Sequence, residues 1–547
     1  MFASVALFFK VACLIGLHSS LVIASTSRGR ATDIAPIVDL GYAKYQGVHN
    51  GTADVTSYLG IRYAAPPTGP LRWKHPQFPA KVPGVQSADR QPVQCFQTPD
   101  FLGGRASSNS LRNFTSKRDT EPESTEDCLF LNVYHPGSKV PSKKLPVVVW
   151  IHGGGYMWGN ATGYHGEDLL QESGNDIVAV VIQYRLGVFG FLAGSEVKSN
   201  GVLNAGLLDQ EFALRWVNKH IDIFGGDSEK VTIWGQSAGA GSVLQHIVAN
   251  NGRTKPQLFR GAMTSSTFLP SQYAFNDVVP EGLYRQVLTL TNCSSALNAL
   301  DCLRNTDTAV LQSANVEIAL GGLFGTYIWA PVVDGTFITQ RPTEALKQGK
   351  VNGRRFYGVT NTREGDLTIN QTVAAALGVA GYTLQLFPHF KEEQAAATAK
   401  VYSKLGSALN QIQTISAESV FVCPTYFLLE AFSNKGFKGE FAIPPGHHAD
   451  DVDFYFPSRG TRTYNNTDFI AAFDDSFFNF IKFLDLNARP TQHDITPRWA
   501  TYSDARRTEM LFNETSAGAP RIRPIVTSTS LLERCQFWEG VSAVTGQ

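Results

Sequence analysis

One stretch constrains the fold of this chain more than any other: residues 231–241, where the run Val-Thr-Ile-Trp leads into the turn Gly-Gln-Ser-Ala-Gly. The pattern G-x-S-x-G is typical of a nucleophile elbow, in which a sharp turn between a strand and a helix exposes the oxygen of a strained serine. A bare match carries little information in a chain with 49 glycines. Here a β-branched strand precedes the match and the helix-permissive Ala-Gly-Ala-Gly follows it, so we interpret Ser237 as a nucleophile.

Length and charge indicate one large, neutral domain. A chain of 547 residues is long enough for several domains, but no linker or repeat divides it. We therefore predict a single domain over residues 25–547. The 47 basic residues balance 47 acidic residues, which argues against nucleic acid or an acidic membrane surface as a partner.

Residues 1–24 have the pattern of a secretion signal. Lys10 is followed by the apolar run 11–17 and by a small-residue cleavage site at 22–24. The apolar run is too short for a membrane anchor, and no later stretch is expected to span a bilayer. Residues 543–547 carry neither an ER-retention signal nor a GPI tail. We expect a secreted, extracellular protein with no stable membrane anchor.

The cysteines and sequons agree with secretion. Six cysteines remain beyond Cys13, an even number that suits an oxidising compartment. Seven N-x-S/T sequons are candidates for glycosylation and would place their loops at the surface. They begin at Asn50, Asn113, Asn160, Asn292, Asn370, Asn465 and Asn513.

Hydrophobic periodicity predicts an α/β fold. Residues 145–151 and 177–184 are continuous apolar runs, which are typical of strands buried on both faces of a parallel sheet. Residues 207–224 have helical spacing, and the strand 231–234 follows. Strand, helix and strand in this order predict a large, mostly parallel, doubly wound sheet with helices on both faces. Functional sites are expected at the carboxyl ends of its strands.

Other segments are expected to surround this sheet. Residues 37–40 and 55–63 have the pattern of strands, which we assign to a small N-terminal sheet. Two mostly helical regions, about 280–350 and 373–436, are expected as insertions, and the first is interpreted as a cap over the pocket.

The chemistry of a serine nucleophile requires further groups. Serine needs a base beside it, usually a histidine that a carboxylate orients, and the oxyanion needs N–H donors already in position. The residue after the nucleophile, Ala238, is one expected donor. The turn His-Gly-Gly-Gly at 152–155 supplies the others, Gly154 and Gly155. Alternatively, this turn is only a tight turn or a phosphate loop, although it lacks the spacing of either nucleotide-binding motif.

Together these segments resemble the type-B carboxylesterase/lipase family, the cholinesterase-like branch of the α/β-hydrolases that includes secreted fungal lipases and esterases. The resemblance covers essentially the whole mature chain, and it rests on residues 126–133, 150–156, 204–210, 224–227, 235–241 and 331–335. It implies an α/β-hydrolase fold and ester hydrolysis by a Ser-His-Glu triad through an acyl-enzyme. Neither a metal nor a cofactor is implied.

The resemblance also implies the triad partners. The acid of the family lies in an asparagine-to-Glu-Gly segment after a core strand, which corresponds to Glu364 here. For the base, the family pattern of an acid three positions later, then an aliphatic residue, fits His448 better than the adjacent His447. The cluster 447–453 could instead hold a metal ion, although adjacent residues rarely point at one ion.

By resemblance the six cysteines pair as Cys95–Cys128, Cys293–Cys302 and Cys423–Cys535.

Two departures from the family pattern limit the comparison. Gln236 stands where many relatives have glutamate, and the loop 95–128 contains no tryptophan, so a choline-ester specialist is not expected. That loop is polar and shows no clear amphipathic helix, which favours a general esterase over a lipase acting on long-chain acylglycerols.

Two further hypotheses remain. An acyltransferase on a secondary metabolite would use the same triad, so the sequence does not separate it from a hydrolase. A catalytically silent binding ectodomain is least favoured, because this chain keeps Ser237, Glu364 and His448 and shows no anchor. A small-molecule or lipid ester is the expected substrate.

Overall fold

A 13-stranded sheet lies at the centre of the computed structural model, which describes residues 34–98, 123–488 and 495–547. The predicted secretion signal and Asn113 lie outside these ranges. In chain order the strands are β1 (Ile34–Asp39), β2 (Lys44–Asn50), β3 (Val55–Arg62), β4 (Val85–Ser87), β5 (Gln94–Cys95), β6 (Ser124–Thr125), β7 (Phe130–Pro136), β8 (Leu145–Ile151), β9 (Val178–Ile182), β10 (Gly226–Gln236), β11 (Gly261–Ser265), β12 (Arg355–Asn361), β13 (Gly436–Phe441), β14 (Thr508–Glu514) and β15 (Pro520–Val526).

The sheet is parallel in its middle and antiparallel at both ends. Its order is β1-β2-β3-β7-β9-β8-β10-β11-β12-β13-β14-β15, with β4 beside β2, while β5 and β6 pair separately. The run β9-β8-β10-β11-β12-β13-β14 in the middle of this order is parallel throughout, as predicted. The prediction of a separate N-terminal sheet is wrong, because β3 pairs antiparallel with β7 and so joins the first strands to the main sheet. Alternation along a strand does not specify its neighbour.

Helices cover both faces of the sheet. In chain order they are α1 (Gly166–Glu172), α2 (Gly187–Phe191), α3 (Ser195–Asn200), α4 (Ala205–His220), α5 (Ala238–Gly252), α6 (Val278–Leu290), α7 (Ala299–Asn305), α8 (Thr308–Gly321), α9 (Pro342–Lys347), α10 (Gln371–Leu386), α11 (Glu392–Tyr402), α12 (Ala408–Ala417), α13 (Cys423–Ala431), α14 (Val452–Tyr455), α15 (Thr467–Phe483) and α16 (Thr529–Thr545). Short 3-10 turns occur at Gly69–Leu71 and Ile221–Phe224, and a π-helical turn, Glu418–Val422, joins α12 to α13.

Alternation along the central strands builds two hydrophobic layers. In β8, Val147 and Val149 face one cluster while Val148 and Trp150 face the other. Successive side chains of a strand point to opposite faces, so a strand buried on both sides needs an unbroken apolar run. This confirms the interpretation of residues 145–151 and explains why all four of these side chains are fully buried.

Both predicted helical regions are present. The first contains α6 to α9 and the second contains α10 to α13. We expected no later stretch to be able to span a bilayer. By length and composition alone this is wrong, because the continuous helical segment Ala408–Ala431 is long and apolar enough to do so. Its apolar window is 83% buried inside the fold, as in a core helix.

Candidate functional site

Ser237 lies at the turn between β10 and α5. Its backbone has φ 56° and ψ −126°, a conformation that a residue with a side chain adopts at a cost of about 1–3 kcal/mol. Two glycines let the backbones approach closely enough for this turn. A Cβ on Gly235 would lie 2.3 Å from the carbonyl carbon of Gly239, and one on Gly239 would lie 1.9 Å from the oxygen of Ile151. The geometry is that of a strained strand-to-helix turn.

The glycine-rich turn lies beside this serine because β8 and β10 are neighbours. Gly235 pairs in register with Ile151, so the residues that follow the two strands emerge side by side. A Cβ on Gly153 would lie only 3.1 Å from the Cβ of Ser237. Gly154 and Gly155 line the same pocket as Ser237, and both have positive φ, 104° and 60°. The turn therefore faces the serine.

Ala238 is the first residue of α5. The first N–H groups of a helix have no partner within the helix, and the helix dipole is positive at that end. Because α5 begins at Ala238, directly after Ser237, the N–H of Ala238 lies at the helix end where negative charge is favoured. Ala238 and the turn at 153–155 approach Ser237 from two different elements.

The two neighbouring strands β12 and β13 position an acid and a histidine. Glu364 follows β12 and is fully buried, and His448 follows β13, with its side chain 11% exposed. The Nδ1 atom of His448 lies 2.5 Å from Oε2 of Glu364, and the backbone N–H of Asn361 donates to Oε1 at 2.7 Å. When Nδ1–H donates to Glu364, Nε2 of His448 is the acceptor atom of the ring.

His447 has different surroundings, although it is adjacent. Its Nε2 lies 3.8 Å from Asp366, its side chain is 26% exposed, and its backbone N–H donates to Asp450 at 2.8 Å. Burial lowers the pKa of His447, while the charge of Asp366 acts in the opposite direction. The structure therefore brings His448, and not His447, next to Glu364.

A buried network behind Glu364 was not foreseen from the sequence. Asn361 donates its side-chain amide to Asp451 at 2.9 Å, and the hydroxyl of Tyr455 donates to the same carboxylate at 3.0 Å. Burial raises the pKa of Asp451 to about 6, although the bond from Asn361 opposes this change, and the charge of Glu364 adds to it. Asn361 thus contacts both acids. The available signal was the position of Asp451, three residues after His448.

Ser237, His448 and the glycine-rich turn share one small pocket of about 70 Å³. Gln236 also lines it, and its Nε2 lies 3.2 Å from Nε2 of His448. Phe324 and Tyr327, from the predicted cap region, form part of the wall. This region therefore contributes to the pocket as expected.

A second, apolar cavity also has Tyr327 in its wall. It encloses about 230 Å³ and is lined by Leu323, Trp329 and Leu386 among others. Tyr327 lines both cavities, has φ 51°, and packs edge-to-face on Phe268 at 4.6 Å between ring centres. Tyr327 therefore borders both the pocket of Ser237 and a larger apolar space.

Comparison with known proteins shows which family shares these features. A model of the carboxylesterase family matches residues 35–538. The chain belongs to the carboxylesterase family. The predicted α/β-hydrolase fold is confirmed as well, because the crystal structure of Aspergillus niger EstA superposes with a TM-score of 0.81 and 29% identity, covering 94% of this chain and 99% of that one.

Fungal relatives extend the comparison. The carboxylesterase patB of Penicillium expansum is 28% identical over 556 residues, covering 92% of this chain and 96% of that protein. Secreted lipase 1 of Botryotinia fuckeliana is 36% identical over 334 residues, which is 58% of this chain and 57% of that protein. As a member of this family, the protein is a carboxylic ester hydrolase.

The carboxylesterase contains the three disulfides that the resemblance implied. They join Cys95 to Cys128, Cys293 to Cys302 and Cys423 to Cys535, the last of which links α13 to α16. Each is expected to stabilise the fold by about 2–4 kcal/mol through the unfolded chain. Disulfides and a relative named as a secreted lipase are consistent with a secreted protein.

The six described sequons differ in exposure. Asn292 and Asn465 are exposed, whereas Asn50, Asn160, Asn370 and Asn513 are half-buried. The side-chain amide of Asn160 donates to Gln94 at 2.6 Å. Within residues 34–98, 123–488 and 495–547, no group of three or more His, Cys, Asp or Glu side chains is arranged to hold a metal ion.

Proposed function

We propose that this carboxylesterase is a secreted serine hydrolase that cleaves carboxylic esters through an acyl-enzyme on Ser237. The observation that carries the proposal is the 2.5 Å contact between His448 and Glu364 in a pocket that His448 shares with a strained serine. A histidine oriented by a buried carboxylate, in the same pocket as a serine hydroxyl, is the arrangement that activates a weak nucleophile.

In the proposed first half of the reaction, the hydroxyl oxygen of Ser237 attacks the ester carbonyl. Nε2 of His448 takes the hydroxyl proton and then delivers it to the leaving alcohol as the ester C–O bond breaks. Glu364 keeps Nδ1–H directed towards itself and stabilises the imidazolium. In the second half, His448 takes a proton from water, which attacks the acyl-enzyme. His448 then returns that proton to the oxygen of Ser237 as the acid leaves.

The oxyanion of each tetrahedral intermediate is assigned to the N–H groups of Gly154, Gly155 and Ala238. Preorganised backbone donors stabilise charge that develops only in the transition state, and each is worth about 10²–10³-fold in kcat. The positive φ of the two glycines and the helix start at Ala238 support this assignment. Neither a metal nor a cofactor enters the proposed steps.

The second cavity bears on the choice between esterase and lipase. The pocket of Ser237 is small, but the apolar cavity that shares Tyr327 with it is about 230 Å³, which is room for part of an acyl chain. A general esterase remains the proposal, and a lipase acting on long-chain acylglycerols is the second candidate that this cavity favours.

The decisive assay compares the purified wild type with Ser237→Ala on p-nitrophenyl esters from acetate to palmitate. Hydrolysis by the wild type alone supports a serine esterase, and its profile over acyl length separates an esterase from a lipase. Equal rates in the two proteins on every ester would contradict the proposed role of Ser237.

Secretion and glycosylation need their own tests. Expression of the full chain should deliver the protein to the medium with an N-terminus at residue 25, after the small residues at 22–24. Peptide N-glycosidase should lower the mass of peptides that contain the exposed Asn292 and Asn465. Retention of residues 1–24 on the secreted protein would contradict the assigned signal.

A further inference from the structure

A charged side chain lines the catalytic pocket, and the proposed mechanism does not use it. Arg459 borders the same cavity as Ser237 and His448. Its side chain is only 17% exposed. Among the described residues that line this pocket, Arg459 is the one that carries a permanent charge, and no acidic residue accompanies it.

Tyr164 and Asp453 are the main neighbours of the guanidinium: burial lowers the pKa of Arg459, but Tyr164, through its charge and a hydrogen bond, and Asp453 together raise it. The Nε atom of Arg459 lies 3.8 Å from Oδ1 of Asp453, and its central carbon lies 4.4 Å from the centre of the Tyr164 ring. An ion pair at 3.8 Å exceeds the 2.7–2.9 Å of a charge-assisted hydrogen bond. Tyr164 is itself fixed by packing against Trp150 and Phe456, with ring centres 5.1 and 5.3 Å apart. Arg459 is therefore positioned from one side by an aromatic ring.

Asp453 is the acidic neighbour of Arg459, but it does not line the pocket. Burial raises the pKa of Asp453, although Arg459 and Arg462 act in the opposite direction. The other acids of this segment, Asp450 and Asp451, do not line the pocket, and burial raises the pKa of both to about 6. The pocket side of Arg459 thus lacks a fixed anion among the described residues.

The guanidinium of Arg459 is suited to bind an anion. A permanent cation in a largely desolvated pocket attracts a bound anion more strongly than it would in water. The planar guanidinium offers five N–H donors in a fork that matches a carboxylate. Gln236 adds to this preference, because a neutral amide stands in the pocket wall where a glutamate would repel an anion.

We propose that Arg459 binds a carboxylate carried by the ester substrate, so that the preferred substrates are esters with a free acid group near the scissile bond. This proposal rests on the proposed function, because the acid is recognised in the pocket where Ser237 acts. The reaction is unchanged. The acyl–oxygen bond of the ester breaks, water supplies the hydroxyl of the product acid, and the alcohol leaves with a proton from His448. The carboxylate of the substrate stays intact.

Two pairs of esters test the proposal and locate the acid group. The first pair is 4-acetoxybenzoate and its neutral amide, 4-acetoxybenzamide, which place the group on the alcohol side. The second pair is p-nitrophenyl hemisuccinate and its monoamide, which place it on the acyl side. We expect kcat/KM in the wild type to favour the carboxylate by about 10-fold or more in one pair. The pair with the preference identifies the side.

The substitution Arg459→Met should remove this preference, lowering the carboxylate-to-amide ratio of kcat/KM by about 10–100-fold. Arg459→Lys should keep part of it, because the charge remains while the fork is lost. The matched control is Arg354→Met, which removes an exposed arginine that precedes β12, at the opposite end of that strand from Glu364. The control should leave the ratio as in the wild type.

A binding measurement keeps this test separate from the proposed function. Calorimetry with Ser237→Ala should show tighter binding of the carboxylate than of its amide, and the added change Arg459→Met should abolish the difference. No carboxylate preference in kcat/KM or in binding would overturn the proposal. An equal loss on both members of a pair, together with a lower Tm, would also overturn it, by showing that Arg459 is structural. Failure of the proposed function alone would appear as turnover that persists in Ser237→Ala.

Discussion

Glu364 and Asp474 are carboxylates buried in different parts of the fold, one on the loop after β12 and the other on α15. Glu364 is fully buried and Asp474 is 2% exposed. Glu364 contacts His448 through one oxygen and accepts a backbone N–H from Asn361 through the other. Among the residues that the structure describes, neither oxygen of Asp474 has a hydrogen-bond partner, and Arg462 lies 3.8 Å from Oδ2.

The consequences for ionisation follow from these partners. Burial raises the pKa of Asp474 well above its ordinary value, with Glu172 adding to the effect and Arg462 opposing it. At equal burial, donors and a cationic partner favour the charged form of a carboxylate, while their absence favours the neutral form. The two carboxylates are similarly buried, so what distinguishes them is their hydrogen-bond partners.

The largest expected effect is at His448, the histidine in contact with Glu364. His448→Ala should lower kcat by about 10⁴-fold or more, because in the proposed mechanism it removes the base that serves Ser237. His447→Ala is the matched control, and it should stay within about threefold of the wild type, because its ring faces Asp366. Steady-state kinetics on p-nitrophenyl acetate measures both. An inactive His447→Ala beside an active His448→Ala would reverse the assignment.

Removing the charge of Glu364 should have the next largest effect. Glu364→Gln keeps the shape but offers no carboxylate to Nδ1–H, so we expect kcat to fall by about 10³–10⁴-fold with the fold intact. Asp366→Asn serves as the control, since Asp366 lies beside His447 and Arg363. Circular dichroism monitors folding. Equal losses in the two variants would show that Glu364 has no special role.

A new carboxylate next to the histidine would sharpen the comparison. Gln236 is 5% exposed, and its amide nitrogen is 3.2 Å from Nε2 of His448. Gln236→Glu places a buried carboxylate beside His448. Its negative charge favours the protonated imidazole and so raises the pKa of His448. The acidic limb of the kcat/KM profile should therefore move up by about 1 pH unit. An unmoved limb would show that residue 236 does not act on His448.

The smallest effect is expected at Asp474, which has no hydrogen-bond partner within the described part of the chain. Because the pKa of Asp474 is raised in the folded protein, its contribution to stability is complete below the unfolded pKa, about 3.9, and is lost as pH rises through the folded pKa. Asp474→Asn should therefore raise Tm at pH 7–8 by about 1–3 °C, with a smaller gain near pH 4. A gain that does not depend on pH would contradict this origin.

The sequence predicted the parts of the site that depend on local pattern. Ser237 and the glycine-rich turn are recognisable because a strained elbow and a close backbone approach require glycine at fixed spacing. The buried strands were also predictable, since a short unbroken apolar run rich in β-branched residues is typical of a strand covered on both faces. Glu364 and His448 came from family resemblance, because isolated acids and histidines have no pattern of their own.

Other features depend on contacts between distant segments. The pairing of β3 with β7 cannot be derived from alternation, because any exposed strand edge accepts a neighbour. Asn361 contacts both Glu364 and Asp451, and Arg459 reaches the pocket across Tyr164, which lies about three hundred residues earlier in the chain. These arrangements follow from tertiary packing, which a single sequence does not specify.

Covalent labelling tests the central claim most directly. An activated p-nitrophenyl phosphonate should react with one residue of the wild type and abolish ester hydrolysis, and peptide mass spectrometry should place the adduct on Ser237. The account predicts stoichiometric labelling that disappears in Ser237→Ala and slows strongly in His448→Ala, but not in His447→Ala. Labelling of another residue, or full labelling of Ser237→Ala, would contradict the account.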